Sequence, residues 1–193
     1  MSKPVHKIEK KSLTILSWNV EGLKSKLFSF DLHNTLCTYD IVGLIETWDM
    51  DSSYCINYFQ DYVLHSCPAK RSLAGGRPMG GIMVGVKNTI AKLVERICED
   101  LKFGVFLKIN KSMFTTGRDV IFASVYIPPP EKSPVYDNNN ISVLECLENC
   151  FTTQDWHKFD IIIGGDLKAR IGTLLSIQLV KIQFLNWRSI LIY

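Results

Sequence analysis

Asp160-Ile161-Ile162-Ile163-Gly164-Gly165-Asp166 is the stretch on which the reading of this chain turns. Its apolar core is too short for a helix and reads as a strand buried on both faces. The paired glycines let the backbone come close to a neighbour at the C-terminal end, and a carboxylate closes the run. Two earlier segments share this design. Leu13-Thr14-Ile15-Leu16-Ser17-Trp18-Asn19 alternates apolar and polar residues and breaks at Asn19-Val20-Glu21-Gly22, and Asp40-Ile41-Val42-Gly43-Leu44-Ile45-Glu46 is a buried-type run. Three strands thus end in Asn19, Glu46 and Asp166, and such ends can converge on one edge of a sheet core.

Outward from these runs, Leu27, Phe28, Leu32 and Leu36 recur with helical spacing and predict a helix within 23–39, so the chain opens as strand, helix, strand. The segments 61–66, 80–87, 91–97, 103–110 and 119–127 are β-rich runs separated by glycine or polar residues, and their pattern suggests consecutive sheet neighbours. Pro128-Pro129-Pro130 stops the last of them, because proline brings no N–H to a ladder. An amphipathic helix is expected from Ile141 to Phe151, with Asn140 as its N-cap.

The 193 residues suffice for one domain with a sizeable core, and 47% hydrophobic with 21% charged residues argues against disorder. A net charge of +3 permits a polyanionic partner without indicating one. None of the six cysteines forms a C-x-x-C pair, which predicts buried free thiols in a reducing compartment. The basic segment 1–11 lacks a signal-peptide core, so an intracellular location is expected. The apolar segment 173–193 is interrupted by Lys181, Asn186 and Arg188, which argues against a membrane span.

Hydrolysis of a phosphodiester requires a hard cation held by oxygen ligands, an oriented water and donors for the charge that grows on phosphate. Asn19, Glu46 and Asp166 are the right types, although each alone has an ordinary role as turn former, surface ion-pair partner or cap. Their wording along the chain adds to this. Ser17-Trp18-Asn19-Val20-Glu21-Gly22-Leu23, Ile41 to Trp48, Gly80-Gly81-Ile82-Met83-Val84, Val125-Tyr126-Ile127-Pro128-Pro129 and Ile163 to Gly172 follow in one order. Together they resemble the endonuclease/exonuclease/phosphatase superfamily. The Glu46-Thr47-Trp48 triplet, the turn from Gly76 to Gly81 and the segment Gly165 to Arg170 look most like the apurinic-type endonuclease domains of non-LTR, LINE-like retrotransposons.

That resemblance implies a DNase I-like, four-layered α/β sandwich of two mostly antiparallel sheets flanked by helices. It spans 12–172, between the basic 1–11 and the atypical tail 173–193. It implies Mg2+ or Mn2+ on Glu46 with Asn19 assisting, Tyr126 as a phosphate donor, and Asp166 aligning or deprotonating water. Lys70, Arg71 and Arg77, with Lys87, are candidate phosphate contacts, beside the alternative of a solvated loop. The implied partner is double-stranded DNA, nicked by a nuclear monomer whose parent element carries a reverse transcriptase domain.

The sequence departs from the pattern in two places. Lys168 stands where the family has an asparagine, and a charged lysine can meet phosphate but cannot accept a hydrogen bond. The family's terminal Asp-His pair has no counterpart, since the histidines are His6, His33, His65 and His157. The expectation is a domain lacking its last strands, with reduced or no activity. A non-catalytic remnant that binds a polyanion or partner is one alternative. A phosphatase or phosphodiesterase of the same superfamily, acting on a lipid or nucleotide, is another.

Overall fold

Alternation and β-branching along the apolar runs resolve into two four-stranded sheets in a computed structural model that describes residues 13–71, 76–99, 101–127 and 158–167. The first sheet holds β1 (Ile15–Asn19), β2 (Ile41–Ile45), β3 (Tyr62–Cys67) and β4 (Ile82–Lys87) in the order β1-β2-β4-β3. The second holds β5 (Val94–Ile97), β6 (Gly104–Ile109), β7 (Val120–Ile127) and β8 (Asp160–Leu167) in that order. The β1-β2 and β7-β8 pairs are parallel and the others antiparallel.

The sequence order of the strands is therefore not their order in the first sheet. β4 inserts between β2 and β3, and the chain changes sheets between β4 and β5, so the expectation of consecutive neighbours holds for β3 with β4 and for β5 to β7 and fails between β4 and β5. The reason lies in the inner faces. Val84 and Val86 of β4 and Val105, Leu107 and Ile109 of β6 pack into one inter-sheet core with Ile41, Ile45 and Phe122, all nearly solvent-free. Burying such a side chain contributes about 1.5–3 kcal/mol, which outweighs any preference for sequential pairing.

The predicted 23–39 helix is shorter than expected. Only α1 (Phe30–Leu36) is α-helical, with Leu32 and Leu36 packed on the outer face of the first sheet against Val42, Leu44 and Met83. The preceding residues are turns, anchored at their start where Gly22 N–H donates to the Glu46 carbonyl at 2.8 Å and Leu23 N–H to that of Thr47 at 3.0 Å. Leu23 and Leu27 are still buried, but from turns. Residues 91–93 form a 3-10 turn rather than the start of β5. The expected helix 141–151, segment 1–11 and tail 173–193 lie outside the described residues. No helix among the described residues is long and apolar enough to cross a membrane.

Among the cysteines, Cys55 and Cys67 are buried free thiols as expected, while Cys37 is exposed at the end of α1.

Candidate active site

Register brings the predicted residues to one end of the sandwich. Asn19 is the last residue of β1 and pairs with Ile45, so Glu46 begins one residue beyond the same row. On the second sheet Tyr126 of β7 lies opposite Asp166 of β8. Period-two alternation turns Ser17 and Asn19 of β1 to the inner side along with Ile15, as it does Tyr126 with Phe122. The two sheets meet where Asn19 Nδ2 donates to Asp166 Oδ2 at 2.8 Å, across 147 residues of sequence. The Asn19 Oδ1 accepts the Glu21 N–H at 3.0 Å, so both ends of the amide are fixed.

Gly165 carries this contact. Its φ of +154° and the position of an added Cβ, 1.9 Å from the Val125 carbonyl oxygen, leave no room for a side chain directly before Asp166.

Glu46 is 6% exposed, so it is not a surface side chain. Its φ is +53°, an uncommon conformation for a non-glycine residue, and one that concentrates at functional sites. The turn is held from both sides. Thr47 N–H donates to the Gly81 carbonyl at 3.1 Å and Trp48 N–H to that of Gly80 at 3.0 Å, while the 22–23 backbone binds from the other side. Tyr126 is 5% exposed, at the base of the same edge rather than on its surface.

Trp48, also at positive φ, stacks its ring under the Arg77 guanidinium, whose carbon lies 4.2 Å from the ring centroid. Gly22 also lies against the ring, where a Cβ would come within 2.6 Å of it. Arg77 reaches this position because Lys70 and Met79 exchange backbone hydrogen bonds of 3.0 and 2.8 Å, folding the intervening loop back. Arg71 is exposed at the start of that loop. Lys87 does not join the group. It ends β4 at the opposite end of the sheet, five residues and about 17 Å from Ile82 at the rise of a strand. Lys168 lies outside the described residues.

Beside the Glu46 turn, burial pushes the Asp49 carboxyl above its ordinary range, and Tyr54 and Lys24 partly pull it back. The Lys24 ammonium sits 5.9 Å over the Tyr54 ring.

The Glu46 and Asp166 carboxylates and the Asn19 amide oxygen, all at this end of the sandwich, are hard donors of the kind that suits Mg2+ or Mn2+. Among the described residues no group of three His, Cys, Asp or Glu side chains is placed to hold a metal. The set still fits Mg2+, which is commonly bound by one or two carboxylates, with waters and substrate phosphate completing its shell.

Comparison with solved structures bears on the fold. The catalytic domain of Xenopus laevis APE2 superposes with a TM-score of 0.55 at 16% identity, over 81% of this chain and 58% of that one. The 3' phosphatase NExo from Neisseria, bound to a product DNA hairpin, gives a TM-score of 0.53 at 16% identity over 80% and 57%. The fold is the DNase I-like α/β sandwich. The chain spans little more than half the length of either structure. No protein-family model matches it. No curated protein matches it.

Sequence reasoning missed the Trp48 stack and Arg96, an inward-facing cation of β5. For Arg96 a signal existed: Val94 and Arg96 are two apart in Val94-Glu95-Arg96-Ile97, so an inward valine implies an inward arginine.

Proposed function

We propose that this chain carries the metal-binding part of a phosphodiesterase site that nicks double-stranded DNA, as in non-LTR retrotransposition. The observation that supports this best is the 2.8 Å contact between Asn19 and Asp166, which closes two sheets into one polar edge beside the buried Glu46. Glu46, with the Asn19 amide oxygen, would hold Mg2+ or Mn2+. The bound cation supplies charge neutralisation at the phosphate and acidifies water.

The remaining work falls to the chain. Asp166, its carboxylate oriented by the Asn19 amide, aligns or deprotonates the attacking water. Tyr126 donates to a phosphate oxygen as charge builds there. Arg77, Lys70, Arg71 and Lys168 contact flanking phosphates. Water adds to phosphorus as its proton passes to Asp166, the bond from phosphorus to the 3' oxygen breaks, and that oxygen takes a proton from solvent and leaves as a 3' hydroxyl. The solved structures of similar fold, a 3' phosphatase with product DNA among them, support phosphoester hydrolysis on DNA as the frame for this reading.

The test is Mg2+-dependent nicking of supercoiled plasmid by the chain and by Glu46→Ala. Loss of at least about 100-fold in rate on Glu46→Ala is expected, a magnitude typical of removing preorganised charge stabilisation. Equal rates for both proteins would overturn the reading. Lys168 favours a second one, a scaffold that binds DNA without cutting it, for which the wild type would bind duplex but leave plasmid intact.

A further inference from the structure

The edge that carries Asn19, Glu46 and Asp166 continues past β4 to a second feature. Cys67, at the end of β3, pairs with Ile82, and Ile82 pairs with Ile45, so all three lie in one row across the sheet. Just beyond that row a cleft of about 270 Å³ opens between the end of β3 and the β5-β6 connection, lined by Ser66, Cys67, Lys70, Arg96, Glu99 and Lys102. The Cys67 thiol, 3.8 Å from the Leu101 carbonyl oxygen, ties its two walls together.

Among the described residues three cations and one carboxylate line it, drawn from segments about 30 residues apart. Arg96 pairs with Leu107, whose side chain lies in the inter-sheet core, so the arginine points inward from an edge strand. Its Nε is buried and has no hydrogen-bond partner. An inward charge on an edge strand also discourages pairing with another chain, but that role requires neither Lys70 nor Lys102 nor an open cleft. A buried guanidinium nitrogen without a partner is costly, and an anion entering the cleft would satisfy it.

We infer that the Lys70-Arg96-Lys102 cleft is a subsite for a backbone phosphate of the nucleic acid strand that lies along this edge. The inference rests on the reading under Proposed function and extends it to substrate placement. Glu46 follows β2 and Lys70 follows β3, two strand spacings or about 10 Å apart. On one strand that places the cleft within roughly one or two nucleotides of the cleavage position, because successive phosphates are separated by rotation about the axis as well as by rise.

The experiment uses the whole chain and a fluorescent duplex without divalent metal, with affinity read by anisotropy from 50 to 200 mM KCl, roughly the range over which phosphate contacts dominate. Arg96→Glu and Lys102→Glu are expected to weaken binding about tenfold at 100 mM and to lower the salt slope by about 1 each. Lys111→Glu, the same charge change beyond the far end of β6, is expected to leave both unchanged. Lys102 is exposed, so its variant answers the question even where Arg96→Glu does not fold.

Cleft variants that bind like Lys111→Glu, in a protein whose plasmid nicking is abolished by Glu46→Ala, would overturn the subsite and leave the proposed activity standing. A wild type that neither binds duplex nor nicks plasmid would overturn both.

Discussion

Trp48 illustrates how a single backbone angle decides what a side chain can do. At φ +59° its ring meets both Gly22 and Arg77, and the guanidinium 4.2 Å from the ring centroid is held beside the Glu46 turn. A cation over an aromatic face at a partly exposed site contributes about 0.5–1 kcal/mol. Under the proposed function, Trp48→Ala is expected to raise KM for duplex DNA about two- to fivefold with kcat nearly unchanged, because only the pre-positioning of Arg77 is lost. Trp48→Phe, which keeps a ring face, should recover part of that. Steady-state nicking kinetics separate the two parameters, and a fall in kcat with constant KM would assign Trp48 elsewhere. Asn19, Glu46 and Asp166 were legible from the sequence because each closes an apolar run. The Trp48 stack was not, since neither its φ nor the return of Arg77 through the Lys70-Met79 bridge has a residue-type signature.

Among the elements, β8 shows why the glycine pair preceding Asp166 is required. The strand pairs in parallel with β7 over its whole length, and Gly165 sits against Val125, whose carbonyl oxygen would lie 1.9 Å from any Cβ there. Gly165→Ala must therefore displace β8 from β7 and carry Asp166 away from Asn19. The expected loss is at least about 3 kcal/mol, from strain at an unfavourable φ plus overpacking. For a chain of this size that corresponds to a fall in melting temperature of roughly 6–12 °C, measurable by circular dichroism. A melt within a degree of wild type would show that β8 does not depend on this approach. Strand existence and burial were legible throughout, because short apolar runs bounded by glycine and polar residues have few other readings. Strand order was not legible. The placement of β4 between β2 and β3 depends on which inner faces meet in the inter-sheet core, and single-chain patterning carries no record of that. The length of the helix was not legible either, because turns over 24–28 bury Leu23 and Leu27 as a helix would.

The sandwich as a whole brings its two edge strands β3 and β5 together, and this sets a pH dependence. His65 of β3, paired with Val84, faces the inner side, where burial holds its imidazole below the ordinary 6.5, with Arg96 lowering it further and Glu99 opposing. A histidine whose pKa is lower folded than unfolded binds fewer protons in the native state between those two values, so stability increases with pH across that interval. Its contribution is fully present above about 6.5 and is lost as pH falls below it. The Asp49 carboxyl, raised by burial, acts in the opposite sense, favouring the fold at lower pH, but it is common to wild type and variant and cancels in their difference. The expected outcome is that wild type loses more melting temperature between roughly pH 7.5 and pH 5.5, values that bracket the ordinary histidine pKa, than His65→Gln does. Identical losses would place the acid sensitivity elsewhere. Arg96→Gln should also reduce the wild-type loss, because it removes the positive charge that disfavours the imidazolium, although burial, the larger cause, remains. A duplex whose phosphate occupies the cleft would counter the same charge, so saturating DNA is expected to flatten the wild-type profile towards that of His65→Gln.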